Sequence, residues 1–158
     1  MQNIYTLETY NNLKGIVAVS SDQKYNIIAY PDREKGTIKV MNTDTNTSIT
    51  IKAHTGNIAF ISLNSDGLLV ATASEKGTLI RIFRSDTGEN IQEVRRGKDF
   101  AEIYSICFSH NNQFLACSSD RGTIHIFSLD KVNEKIKDLK KKELEYYILI
   151  YLAKEMKH

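Results

Sequence analysis

The chain has 158 residues, 41% hydrophobic and 25% charged, with a formal net charge of +2. That is one ordinary domain's length of chain, and its positive excess is too small to point to a nucleic-acid partner. No apolar run approaches the ~18 residues of a membrane span, and MQNIYTLETYNNLKG lacks the basic-then-apolar order of a secretory signal, so neither a spanning segment nor an export signal is expected.

In chain order, a first group of strands is expected from about Gly15 to Lys52, around YNIIAYPDREKGTIKVMN (25–42). A second follows as IAFISL (58–63), LLVATAS (68–74), LIRIF (79–83) and NIQEV (90–94). These runs are short and rich in β-branched or large apolar residues. They are separated by the turn signals Asn64-Ser65-Asp66-Gly67, Glu75-Lys76-Gly77 and Ser85-Asp86-Thr87-Gly88. A third group begins at IYSICFS (103–109) and continues through FLACSS and TIHIFSL. Cys107 and Cys117 lie in this group without metal-ligand spacing, and read as buried free thiols of a reducing compartment.

Each group carries an apolar strand, a polar turn, Gly-Thr and an alternating strand, with the Gly-Thr pairs at 36–37, 77–78 and 122–123. Spacings of 41 and 45 residues with several short strands per repeat are the signature of propeller blades of the WD type. Residues 1–130 are therefore expected to form an all-β, partial WD40-like β-propeller of about three four-stranded blades. Gly36, Gly77 and Gly122 supply the positive φ of a hairpin turn. The chain has no tryptophan, and Phe83 and Phe127 stand at the equivalent strand ends.

Residues 131–158 change character, with eight lysines against five acids. Leu144, Tyr147, Ile148, Tyr151 and Leu152 recur at helical spacing. A basic amphipathic helix is expected here. It can lie on an anionic bilayer with those five residues inward, cover an exposed blade face, or do both.

Arg95 and Arg96 end the strand at NIQEV. Consecutive side chains of an extended segment point to opposite faces, so the two cannot share one small ligand, but each can serve its own pocket. Guanidinium groups match phosphate oxygens two bonds at a time. Ser74, Thr78 and Arg81 in one repeat and Ser118, Ser119, Thr123 and His125 in the next can complete two anion sites at adjacent blade edges. Composition alone favours the plainer reading of arginines solvated or paired with local acids and of hydroxyls that merely form turns. His54, in KAHTGN, is either a structural histidine of the repeat or a ligand. There is no phosphate-cradling Gly-rich loop before a helix, no His-Glu-x-x-His and no nucleophile elbow, so no enzyme is expected.

ATASEKGTLIRIF, then Val94-Arg95-Arg96-Gly97, then IYSICFSHNNQFLACSSDRGTIHIF resemble the PROPPIN family, from about Leu13 to Leu129. Its members, the WIPI proteins among them, are WD-repeat propellers that bind phosphatidylinositol 3-phosphate and phosphatidylinositol 3,5-bisphosphate. Their hallmark is Leu or Phe before Arg-Arg-Gly, where this chain has valine. The resemblance implies a peripheral membrane adaptor of autophagosome formation, with no cofactor and no catalytic residue. It would be cytoplasmic and associated with autophagic precursor and with endosomal or vacuolar membranes. Arg95 would hold a headgroup with His54, Ser74, Thr78 and Arg81. Arg96 would hold a second with Ser118, Ser119, Thr123 and His125.

A family propeller has seven blades, roughly 300 residues at 40 to 45 per blade. Here the helical tail stands where the family has a membrane-inserting loop. Blade faces left open would be covered by a second copy or by another chain supplying blades, and other autophagy proteins are further partners. The alternative function is a WD-repeat interaction scaffold or an inactive propeller fragment.

Overall fold

In a computed structural model, residues 2–155 are described. Eleven strands and one helix follow in chain order. The first blade is β1 (Ala18–Val19), β2 (Ile27–Pro31), β3 (Thr37–Asn42) and β4 (Thr47–Lys52). The middle blade is β5 (Ile58–Leu63), β6 (Leu69–Ser74), β7 (Leu79–Arg84) and β8 (Asn90–Arg95). The third is β9 (Ile103–Phe108), β10 (Phe114–Ser119) and β11 (Ile124–Ser128), and the helix α1 runs Asp130–Glu155. Each blade is an antiparallel meander in chain order. The partial propeller is as expected, except that the third blade has three strands rather than four.

Period-2 alternation divides each sheet into two faces. Ala71, Ala73, Ile80, Ile82, Ile91 and Val94 turn one face of the middle blade toward Ile103, Ile106, Leu115 and Cys117 of the third. Ile58, Ile61, Val70 and Phe83 turn the other face toward Ala29, Ile38, Val40 and Ile51 of the first. The middle blade is thus packed on both sides, and the two flanking blades on one side each.

The turn glycines do more than supply φ. Gly36 (φ 74°) and Gly77 (φ 65°) also lie where the linker to the next blade passes. A Cβ at Gly36 would come within 1.9 Å of the His54 carbonyl oxygen, and one at Gly77 within 2.0 Å of that of Ala101. Gly122 has the same backbone sign (φ 69°) but open space around it. The first two positions are closed to any side chain on two counts, the third on one.

β11 runs into α1 with no loop. Leu129 donates its N–H to Gln113 O (2.8 Å), continuing the sheet, and its carbonyl accepts from Asn133 N (2.9 Å), opening the helix. Leu129 and Val132 are fully buried, with Ile136 and Leu139 packed against the same cluster. Farther along, Arg84 binds Asp86 and reaches Glu143 at 2.8 Å, while Lys135 Nζ lies 3.2 Å from Glu89. The hydrogen bonds and charges of Asp86 and Glu143 outweigh burial and hold the Arg84 guanidinium above arginine's ordinary value. The first half of α1 therefore covers the middle blade at the β7–β8 turn. Its docked stripe, Val132, Ile136 and Leu139, precedes the five residues read from the sequence. Leu144, Tyr147, Ile148, Tyr151 and Leu152 are exposed, as are Tyr146 and Leu149, so apolar side chains project on every side of the second half. Residues 156–158 of the expected helix lie outside the described residues.

Cys107 is a correction to the reading of two buried thiols: it is exposed, whereas Cys117 is buried. Cys107 and Ile126 both pair with Ala116, on the face of the third blade that no described residue covers. Burial of the Cys117 thiol raises its pKa.

Candidate functional site

β8 places the arginine pair at the junction of all three blades. Arg95 pairs with Leu79 and Glu93 with Arg81, so Arg95 shares the first-blade side of the sheet with Glu93 and Arg81. Val94, on the opposite face, packs toward the third blade. Arg96 follows on that side, and its charge is felt at Cys117 of β10. The two side chains therefore leave the end of β8 on opposite sides, as alternation requires.

They are not equivalent. Arg95 is exposed and has no ion-pair partner among the described residues. Arg96 is 8% exposed, donating from Nε to Gly77 O (2.6 Å) and from Nη2 to Asp99 O (2.5 Å). Its backbone N–H also reaches Thr78 O at 2.9 Å. Arg96 thus ties the end of β8 to the β6–β7 turn and to its own following loop, with only part of its donor set left for a ligand.

In the first groove, Thr72 stands opposite Arg81 across β6–β7, and Ser74 lies two residues along on the same face. Arg81 Nε binds Glu93 Oε2 at 2.7 Å, and its Nη1 donates to Ala53 O at 2.7 Å. His54 enters from the linker below: Ala53 N and His54 N both donate to Gly36 O, which tucks the ring inside. There His54 Nε2 is hydrogen-bonded to Thr72 Oγ1 at 3.0 Å. Burial, seconded by Arg81, pushes its pKa down to about 4 against a smaller opposing pull from Glu93. His54 is therefore a neutral, internal group beneath the groove. Thr78 is also buried, and its carbonyl receives the Arg96 and Gly97 N–H groups. Of the five residues expected here, Ser74, Arg81 and Arg95 share the open face, His54 lies beneath it on Thr72, and Thr78 is buried without a contact that joins its side chain to them.

The second groove uses the same register one repeat later. His125 stands opposite Cys117 as Arg81 stands opposite Thr72. Thr123 Oγ1 and His125 Nε2 are 3.2 Å apart, and His125 stacks on Phe127 with centroids 6.2 Å apart. Ser119 is buried, with Arg121 N at 3.4 Å from its oxygen. Ser118 departs from the expected set. It pairs with Ile124 and Ser105, so alternation turns it to the uncovered face, away from Arg96.

The sequence reading did not find the partners that hold these groups: Glu93 on Arg81, Thr72 on His54, and the Gly77 and Asp99 carbonyls on Arg96. Alternation together with an antiparallel β7–β8 register would have found Glu93. No local signal marks the carbonyls. Among the described residues there is no cluster of metal ligands and no helix long and apolar enough to cross a membrane.

The family model described as PROPPIN matches residues 1–153. The chain is similar to autophagy-related protein 18e of Arabidopsis thaliana, 43% identical over 123 residues, covering 78% of this chain and 33% of that protein. It is also similar to autophagy-related protein 18 of Caenorhabditis elegans, 37% identical over 134 residues, covering 83% and 32%. Among solved structures, Kluyveromyces lactis Hsv2 superposes with a TM-score of 0.64 at 32% identity, covering 71% of this chain and 37% of that one. KlAtg21, solved in complex with the coiled-coil of AgAtg16, superposes with a TM-score of 0.65 at 35% identity, covering 73% and 39%. The chain thus spans about a third of the length of the relatives it matches.

Proposed function

The chain belongs to the PROPPIN family, and from that membership we propose that it is a non-enzymatic membrane adaptor of autophagy that recognises 3-phosphorylated phosphoinositides. The ligands are phosphatidylinositol 3-phosphate and phosphatidylinositol 3,5-bisphosphate, held through Val94-Arg95-Arg96-Gly97. It works from the cytoplasm at autophagic precursor and endosomal or vacuolar membranes. The observation that supports this reading is the exposed Arg95, without an ion-pair partner among the described residues, on the same face of the middle blade as Ser74 and Arg81.

The first groove takes a headgroup phosphate between Arg95 and Arg81, with the Ser74 hydroxyl as a third donor. The second offers the remaining Arg96 donors, Ser119, Thr123 and His125, with Ser118 left out. Two modest sites facing one bilayer gain from effective concentration. The exposed second half of α1, with Leu144, Tyr147, Ile148, Tyr151 and Leu152, adds apolar contact at the interface.

Liposome flotation tests the reading. Binding should need the 3-phosphate and disappear in Arg95→Thr/Arg96→Thr. Binding to any anionic liposome that survives this change and is lost on removing residues 131–158 would replace it with a nonspecific basic tail. The KlAtg21 complex with a coiled-coil favours a second reading, a protein-docking blade array, and on that reading no lipid binds.

A further inference from the structure

We propose that two copies of this chain join head to tail by strand exchange, residues 3–8 of each completing the third blade of the other, so that three blades and three close into one ring. Nothing in this assembly depends on a bound headgroup. The two ends of the array are mismatched. The third blade stops at β11, which pairs only with β10, whereas β3 and β7 pair on both sides. Leu129 N–H bonds back to Gln113 O, so alternation sends the backbone groups of Ile124, Ile126 and Ser128 outward along a free edge. Such an edge is a template for one more strand. α1 does not lie along it, because the helix turns over the middle blade.

The N-terminus carries the strand that this edge lacks. Asn3-Ile4-Tyr5-Thr6-Leu7-Glu8 aligns with Thr47–Lys52 of β4 and Asn90–Arg95 of β8, and Leu7 falls on Ile51 and Val94, the buried residues of those two fourth strands. From Leu7 to Ile16, the counterpart of Ile103, is nine residues, as it is from Val94 to Ile103. Yet among the described residues 2–9 form no strand and make no backbone hydrogen bond, and 2–8 are exposed. Tyr10 N donates to Asp32 O (3.0 Å), which keeps the segment beside the first blade. A linker of this length joins adjoining blades, and the first and third blades of one chain are separated by the middle one. The strand therefore enters the third blade of a second copy.

The blade faces match the strand. Val19 occupies the position of Ile61 and Ile106, which are 3% and 2% exposed against their preceding blades, but Val19 is 60% exposed. At the other end, Ile124 and Ile126 are exposed where Ile80 and Ile82 are buried. The β7–β8 register puts Leu7 of the second copy opposite Ile124 and its Tyr5 opposite Ile126, and the linker then brings its Val19 onto the open face. β9, β10 and β11 hold no acidic or basic side chain except His125, which faces the middle blade, so no charge is buried. The contact is heterologous, and two such seams give a closed ring with a blade number usual for propellers.

Sedimentation equilibrium of the full chain tests this. The wild type should form a two-chain species that dissociates on dilution, leaving Ile124 and Ile126 exposed in the dilute monomer. Leu7→Asp alters the strand and Ile126→Asp the face. Both positions are exposed in the single chain, so the far-UV circular dichroism should not change, while each variant weakens association by about tenfold or more. Mixing the two should restore a two-chain species, because the intact strand of Ile126→Asp fits the intact blade of Leu7→Asp. With Cys107→Ser in both, a short bismaleimide should link Leu7→Cys chains to Ile124→Cys chains and neither kind to itself. A wild type that stays monomeric at the highest concentration measured, an open-ended series of larger species, association that survives both aspartates, variants that do not complement each other, or linking without mixing overturns the proposal.

Discussion

Ile80 and Ile82 of the middle blade and Ile124 and Ile126 of the third occupy the same register positions. The first pair lies opposite Ala73 and Ala71, and the second opposite Ser118 and Ala116. In the middle blade both isoleucines are fully buried, whereas in the third they are 73% and 68% exposed. Pattern, turn and register are alike, so the difference lies outside the repeat, in whether a neighbouring sheet stands on that side. The glycines repeat the lesson. Gly77 is pressed by the linker to the following blade, and Gly122 has nothing to press it. In a linear array each unit sets its own strands, but only the next unit decides what those strands are worth in stability.

The strongest way to break this comparison is a pair of matched truncations followed by denaturant unfolding. Ile82→Ala should cost about 2–5 kcal/mol, as large-to-small changes in a packed core do. Ile126→Ala should stay within about 0.5 kcal/mol of wild type. A comparable loss at Ile126 would mean that the third blade's outer face is covered in solution.

The two inter-blade seams should also differ in their response to acid. His54, at the first seam, titrates near 4 when folded and near 6.5 when unfolded. Between those values the unfolded chain binds the extra proton, so stability falls as pH drops below about 6.5 and levels off below about 4. The full loss is about 3 kcal/mol at 1.36 kcal/mol per pH unit. The corresponding linker position at the second seam is Ala101, which cannot titrate. His54→Gln should flatten this stretch of the stability–pH curve measured by thermal or urea unfolding.

A smaller effect separates the two arginines. Arg96→Thr removes a buried guanidinium and leaves the Gly77 and Asp99 carbonyls without those donors, a cost of about 2 kcal/mol. Arg95→Thr removes an exposed, unpaired charge and should leave unfolding unchanged within about 0.5 kcal/mol. Lipid flotation of the single variants, read beside their unfolding curves, separates a lost contact from a loosened seam.

The blades were legible because their signals are local. IAFISL and NIQEV coincide with β5 and with all but the last residue of β8, since alternation and flanking turns act within a few residues. The splay of Arg95 and Arg96 follows from the same geometry. The ion pair of Arg84 with Glu143 bridges 59 positions of chain, and neither residue carries a local mark of it. The exposure of Cys107 was equally hidden, because its strand reads as core and only a neighbour could have made it so. Arg96 looked like a free cation because nothing in VRRGKDF reveals that the chain folds back to lay two carbonyls on it. Part of the candidate site was thus readable as an inventory of side chains, but the division between open and committed ones was not.

The unbroken passage from β11 into α1 has a mechanical consequence. With Leu129 serving both sheet and helix, there is no slack between them, and α1 behaves as a lever fixed at one end and strapped midway by Arg84. A pull on its apolar far end would load that ionic strap first. Only after the strap gave way would the strain reach Val132 and the seam beside Cys117. Raised ionic strength should therefore free the outer arm of the lever while its root stays seated.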